Sequence, residues 1–203
     1  MTIGFLAVVI AAGIGSLIGL VAGYLGGPLD SILMRITDVF MSIPTLYLIL
    51  MITAIFGPST RNTVIVIGIV SWPVCARIVR GQTMSIKSSE FIVAATAQGA
   101  SVARILFRHF LPNVAAPIVV FASLWAPYAI LTEAGLSFLG LGAQPPEPSW
   151  GSILSEGRGV IFMAWWMATF PGVMIFLTVL GLNFLGDGLR DALDPKIGDY
   201  GLR

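Results

Sequence analysis

One cysteine, Cys75, and one histidine, His109, are all that 203 residues supply of two side chains central to metal binding and nucleophilic catalysis. A single cysteine excludes an internal disulfide framework and cannot make a metal site alone; Cys75 reads as a small apolar residue in a helix. His109 has no carboxylate or cysteine beside it in the sequence, which argues against a catalytic or metal role. Charge is scarce as well, at 10% of residues, against roughly 25% in an ordinary soluble domain. The net charge of +1 carries no signal for nucleic acid, and none is expected as a partner. There is no G-x-x-x-x-G-K-[ST] phosphate loop, no H-E-x-x-H, no paired cysteines and no nucleophile elbow. Gly140-Leu-Gly142 is too short for a nucleotide fingerprint. If this protein uses ATP, another subunit must bind it.

What the chain has instead is apolar surface. Hydrophobic residues make up 57% and mean hydropathy is +0.94. A soluble chain of this size could not hide that much in its core, so the composition describes an integral membrane protein. A helix needs ~20 apolar residues to cross the hydrocarbon core. Five stretches meet or approach this length: Ile3–Leu25; Val39–Phe56, extended backward through Met34; Thr63–Ala76, lengthened by snorkelling Arg77 and Arg80; Phe110–Thr132; and Val160–Gly186, long enough to span with tilt. They lack the alternation of a membrane barrel. The fold class is therefore all-α, a single polytopic membrane domain over 1–203 with about five spans.

Basic residues set the expected orientation. With the segment around Glu90–Asn113 in the cytoplasm, Arg35, Arg77, Arg80, Lys87, Arg104, Arg108, Arg190, Lys196 and Arg203 lie inside, and only Arg61 and Arg158 outside. The C-terminus is then cytoplasmic and Met1 external. The first run lacks the basic start and short apolar core of a signal peptide. An external Met1 follows from a further span upstream or from insertion without one, and both stay open.

Gly15, Gly19 and Gly23 recur at intervals of four in the first span, with Gly27 beyond. Glycines on one helical face let another helix approach closely, so these are the candidate helix-packing residues, within the chain or toward a partner. Pro44, Pro73, Pro127 and Pro171 fall in or beside spans, where each removes a backbone donor and can kink its helix. The Pro- and Gly-rich stretch Gly142–Gly159 reads as a structured external crossover with Trp150 as an interfacial anchor. Asp38 and Glu133 lie near the ends of their helices, where interfacial hydrogen bonding is the expected role.

The remaining polar stretch runs from Ser85 to Asn113. Ser85 to Ser88 offer an N-cap ahead of Glu90, whose charge suits the positive end of a helix dipole. Phe91, Ala94, Ala95 and Gln98 follow at helical spacing, Gly99 interrupts, and a second short helix is expected over Ser101–Phe110. Pro112 suits a first turn where the chain re-enters the membrane. Small side chains permit close docking into a groove, and Arg104 and Arg108 supply charge for a partner or for lipid head groups. The residues alone describe either a docking element or an interfacial amphipathic segment.

This segment resembles the cytoplasmic loop motif of ABC importer permeases, E-A-A, three residues, Gly, nine residues, I-x-L-P. Ala94, Ala95, Gly99, Leu111 and Pro112 stand in register; Val93 replaces the glutamate and His109 the isoleucine. Further blocks resemble the dipeptide/oligopeptide/nickel branch, and in particular its C-type permease subunit. They are Val21-Ala-Gly-Tyr-Leu-Gly-Gly27, Arg35-Ile-Thr-Asp-Val-Phe40, Arg77-Ile-Val-Arg-Gly-Gln82, Arg108-His-Phe-Leu-Pro-Asn113, Glu133 to Gly142, Pro148-Ser-Trp-Gly151 and Gly186 to Pro195.

The resemblance implies a type I importer permease that does no covalent chemistry and holds no cofactor or metal. A second permease subunit would complete the path, two ATP-binding subunits would hold ATP and magnesium, and an external solute-binding protein would deliver di- or oligopeptides. Nickel chelates or glutathione-like peptides are the alternative cargo. Residues 85–113 would form the coupling-helix loop, with Glu90, Ala94, Ala95, Gly99, Arg104, Arg108 and Pro112 facing or shaping the ATPase contact. The expected location is a bacterial or archaeal plasma membrane. Such subunits commonly carry an additional N-terminal span followed by an external segment that leads into this core. Two rivals are a stand-alone secondary transporter or channel, which should show charges at mid-membrane or an internal repeat, and a membrane-embedded enzyme, which should show convergent His, Cys or acidic residues. Neither signature is present.

Overall fold

A computed structural model describes residues 2–193. Among these residues the chain is helical, with no strand. The long elements are α1 (Thr2–Leu25), α4 (Thr60–Ile86), α8 (Ala115–Phe138) and α10 (Trp166–Leu193), each long and apolar enough to cross a membrane. Between the first two lie α2 (Gly27–Ser42) and α3 (Thr45–Phe56), which together have the length and composition of a fifth span but meet at 86°. Short helices α5 (Glu90–Ala97), α6 (Val102–Arg104) and α7 (Leu111–Asn113) occupy one end of the bundle, called proximal below; α9 (Trp150–Gly159) sits at the distal end.

The second span differs from the expected uninterrupted run. Its helix begins at Gly27 and breaks at Ile43-Pro44. Ile43 is extended (φ −96°, ψ 127°) and Pro44 caps α3. A residue before proline is pushed out of helical geometry by the proline ring, and here nothing restores it. Pro73, Pro127 and Pro171 lie buried inside continuous helices. Two boundaries also move. The third span is not short, because α4 carries Arg77 and Arg80 within its 27 residues. The last span starts at Trp166, and Val160–Trp165 form turns. Asp194, Pro195, Lys196, Arg203 and the C-terminus lie outside the described residues.

The centre of the bundle is the parallel pair α1 and α4. Gly15, Gly19 and Gly23 lie against Cys75, Val79 and Thr83, a constant offset along both helices. A methyl carbon on Gly19 would stand 2.6 Å from the Ala76 carbonyl oxygen, and one on Gly23 would stand 2.8 Å from Thr83 Cβ. Gly68 of α4 answers from the other side, its absent Cβ 2.7 Å from Ile10 Cβ. In lipid, where burial of apolar surface does not drive helices together, such backbone approach is the main source of packing attraction.

Two clusters surround this seam. The distal one joins Ala7, Val8, Leu48, Ile49, Val66, Ile67, Val70, Ala129 and Leu136. The proximal one joins Ala11, Leu20, Cys75, Val79 and Phe121 to Ile92, Ile105, Leu106, Phe110 and Val114 of the polar segment. Several hydroxyls in the spans are satisfied within their own helices: Thr37, Thr83 and Thr132 donate to the carbonyls of Leu33, Val79 and Tyr128 at 2.7–2.8 Å, whereas the buried hydroxyls of Thr53 and Ser71 have no partner among the described residues. Such back-bonding is how a polar side chain survives without water.

Candidate coupling surface

The polar segment after α4 is folded onto the bundle. The chain leaves α4 through a turn at Lys87-Ser88, and Ser89 is the residue that precedes α5, not Ser85–Ser88. Ser89 makes no side-chain cap; its hydroxyl donates to the Ile86 carbonyl at 2.6 Å. Glu90 occupies the first turn of α5, exposed. The helix ends in a Schellman pattern: Ala100 N–H donates to Ala95 O (3.1 Å) and Gly99 N–H to Thr96 O (3.0 Å). That motif puts its penultimate residue in the left-handed region, where a Cβ is penalised. Gly99 has φ +76°.

The second half departs from a plain helix. Ser101 Oγ accepts from Arg104 N–H, starting α6, and Ile105–Phe110 then widen into a π turn. Pro112 supplies part of the reason, because it offers no N–H to the carbonyls one turn back. Asn113 Nδ2 donates to the His109 carbonyl at 2.7 Å instead. Val114 breaks the helix before α8 begins.

The segment is two-faced. Inward, Ile92, Ile105 and Phe110 are 2% exposed or less, and Phe110 packs its ring 5.4 Å from that of Tyr24 at the end of α1. Outward, Glu90, Phe91, Val93, Ala94, Ala97, Gln98, Gly99, Val102, Ala103, Arg104, Phe107 and Arg108 are exposed. Ala94 and Ala95 therefore part company: Ala94 faces out, while Ala95 is 9% exposed and faces the bundle. Pro112 is exposed and His109 half-buried. Beside α5 an open groove of about 630 Å³ runs between Tyr24, Leu25, Lys87, Val93, Ala97 and Val102. Among the described residues, none beyond Gly99's chain neighbours lies within 4 Å of where a Gly99 side chain would begin. The surface offers small residues, apolar patches and two guanidinium groups on a rigid base. It contains no nucleophile paired with a base.

Two ion pairs lie at the same end. Asp30 of α2 accepts from Arg80 of α4 through both carboxylate oxygens, at 2.5 and 2.6 Å, and Asp38 pairs with Arg77. Asp38 thus has an ionic partner as well as the interfacial position read from its place in the sequence. At the distal end Glu133, 9% exposed, accepts from Ser137 Oγ at 2.7 Å, and Ser137 Oγ in turn accepts from Ala143 N–H at 3.0 Å. The stretch after α8 is stapled back by this relay. It continues into α9, a helix hidden in a Pro- and Gly-rich sequence and opened by a capping box between Ser149 and Ser152. Among the described residues no group of three His, Cys, Asp or Glu side chains is placed to hold a metal ion.

A multi-pass helical bundle with a folded, two-faced helix pair between its third and fourth spans is the architecture of a transporter's membrane subunit. Residues 15–199 match the family described as binding-protein-dependent transport system inner membrane component, and the chain belongs to that family. It is 49% identical over 197 residues to the dipeptide transport system permease protein DppC of Alkalihalophilus pseudofirmus, covering 97% of this chain and 65% of the relative. It is 48% identical over 194 residues to the glutathione transport system permease protein GsiD of Pectobacterium atrosepticum, covering 96% and 64%. The chain thus spans just under two thirds of the length of these relatives. In structure it is similar to the MetNI methionine ABC transporter in an inward-facing conformation, with a TM-score of 0.75, 19% identity, and coverage of 95% of this chain and 92% of that chain. This last likeness concerns the fold.

Proposed function

We propose that this chain is a permease domain of an ATP-driven importer for di- or oligopeptides and that the outward face of Glu90–Arg108 is where an ATP-hydrolysing subunit docks. The observation that carries the docking role is the two-faced segment. Its inner face is locked into the same cluster as α1, α4 and α8, so force applied to the outer face passes directly to the spans. In this reading the exposed Phe91, Val93, Val102 and Phe107 pack against the partner subunit. The peptide cargo rests on the relatives named as dipeptide and di/tripeptide permeases; the glutathione permeases among the relatives keep a glutathione-like peptide as the second reading.

In this reading the segment faces the cytoplasm, and a second permease subunit completes the path. An external binding protein delivers cargo at the distal end. ATP closes the paired ATPases and shifts α5 to α7, which opens the path outward; hydrolysis and release reset it. The chain itself performs no covalent chemistry and holds no cofactor.

Co-purification with Ala94→Trp is the test. A bulky ring on the exposed face should abolish recovery of an ATPase while membrane insertion stays normal. Recovery of the ATPase at wild-type yield, or of no ATPase with the wild-type chain, overturns the docking role. Ala95→Trp is a poorer probe than its position in the motif suggests, since it strains the bundle.

A further inference from the structure

A second cavity lies away from the coupling surface, on the flank formed by α4, α8 and the end of α10. It holds about 800 Å³ and is lined along its length by Val74, Ile78, Val120, Phe121, Leu124 and Trp125. At its proximal mouth the lining changes character to Gln82, Asn113 and Arg190. From Ala116 to Trp125 the cavity follows nine residues of α8, roughly 14 Å at helical rise, against about 15 Å for one leaflet of hydrocarbon. The cleft is therefore one leaflet deep, apolar where acyl chains lie and polar where head groups lie.

Charge narrows the occupant. Arg190 makes no ion pair among the described residues; Asp187 and Asp191 share its helix, but neither comes within ion-pair distance. Arg77 and Arg80, the guanidinium groups in the proximal half of α4, are both engaged with aspartates. A planar guanidinium with no carboxylate partner among the described residues, beside the two amide side chains, matches a phosphate. Basic pockets between spans on the cytoplasmic side are a common way to hold anionic head groups. We infer that this cleft is a binding site for one anionic phospholipid, its phosphate on Arg190 and Gln82 and an acyl chain along Val120, Leu124 and Ile78. The inference concerns lipid and goes beyond the transport reading; it shares with it only the proximal face as the membrane's inner side.

The probe is phosphatidylglycerol. The intact complex carrying this chain is purified from mixed phosphatidylglycerol–phosphatidylcholine nanodiscs, and retained lipid is counted by native mass spectrometry. Wild type should retain phosphatidylglycerol preferentially, and Arg190→Gln should lower that preference by about tenfold, the value of one charge-assisted hydrogen bond to phosphate. Leu124→Trp, which fills the apolar cleft and leaves the charge, should lower total retention at this site. Arg158→Gln, an exposed arginine at the other end of the molecule, should change nothing. Equal retention of the two lipids by wild type overturns the site. An undiminished preference in Arg190→Gln overturns it too, as does an equal loss in Arg158→Gln. Because the readout is bound lipid, these outcomes stand apart from any result on ATPase docking or transport.

Discussion

Asp30 and Arg80 form a two-pronged ion pair, Oδ1 to Nε at 2.5 Å and Oδ2 to Nη2 at 2.6 Å, that fixes the start of α2 against the proximal part of α4. The second pair, Asp38 with Arg77, lies further along α2. The chain crosses from α1 to α2 through Gly26 and Gly27, both at positive φ. The Asp30 pair therefore holds an otherwise loose turn at a set angle.

The two pairs should differ sharply in value. The Asp30 and Arg80 side chains are 15% and 30% exposed, whereas Asp38 and Arg77 are 60% and 48% exposed. Arg80→Gln should destabilise the protein by about 1–3 kcal/mol, because it leaves a half-buried carboxylate short of a charged donor. Arg77→Gln should cost less than about 1 kcal/mol, as exposed pairs do. Denaturation midpoints in detergent measure both, and a double-mutant cycle with Asp30→Asn should recover most of the Arg80 loss. Equal effects at Arg77 and Arg80 would show that burial is not what separates them.

The glycine seam gives a paired prediction. A methyl group on Gly19 meets the Ala76 carbonyl oxygen and the Val79 side chain, neither of which can withdraw without moving α4. Gly19→Ala should cost roughly 1–3 kcal/mol, the usual penalty of overpacking. Gly13, in the same helix, has nothing within 4 Å of its absent Cβ. Gly13→Ala should be neutral or gain up to ~1 kcal/mol from helix propensity. Melting temperatures of the two variants test this directly. A neutral Gly19→Ala would mean that the seam is looser than its geometry.

How much of this was legible in the residues depends on what each signal constrains. Glycines at intervals of four specify a close neighbour but not which one; only the fold shows α4 there. Four prolines looked alike, yet Pro44 alone breaks a span, because neighbouring helices hold the other three buried in line. Ala94 and Ala95 are adjacent in the motif but one is exposed and the other buried, since successive residues on a helix lie about 100° apart and so fall on different faces. Ile92 and Phe110 anchor the segment, and the one sign of this in the residues is that Ile92 and Ala95 are spaced as one face of a helix. The α9 helix was masked by the Pro- and Gly-rich composition around it. Its Ser149 and Ser152 pair was the available sign, weaker than the usual Ser-x-x-Glu.

Ser137 is the keystone of the distal end. Its hydroxyl gives its proton to Glu133 and takes the Ala143 N–H, all three in a buried setting. Ser137→Ala leaves both a buried carboxylate and a buried amide unpaired, at about 1–3 kcal/mol for each neutral group and more for the charge. The loss should appear locally, as faster amide exchange at Ala143 and easier proteolysis within Gln144–Ser149. Gly151 packs on Ala134 and Ser137, so α9 should loosen with it. If exchange at Ala143 is unchanged, the relay does not hold the loop.

Gly99 separates a backbone requirement from a docking requirement. Its φ of +76° excludes most side chains on strain alone, at roughly 1–2 kcal/mol for alanine. Asparagine tolerates the same region better, so Gly99→Asn should melt close to wild type and Gly99→Ala somewhat lower. Among the described residues there is room for either side chain, because nothing approaches the position. Any further effect must come from outside the described residues. If an ATPase subunit packs on this surface, Gly99→Asn and Gly99→Ala should both depress cargo-stimulated ATP hydrolysis well beyond their difference in stability. Transport at wild-type rate with Gly99→Asn would reduce the glycine to a helix terminator. Ala94 and Arg104 would then have to carry the contact.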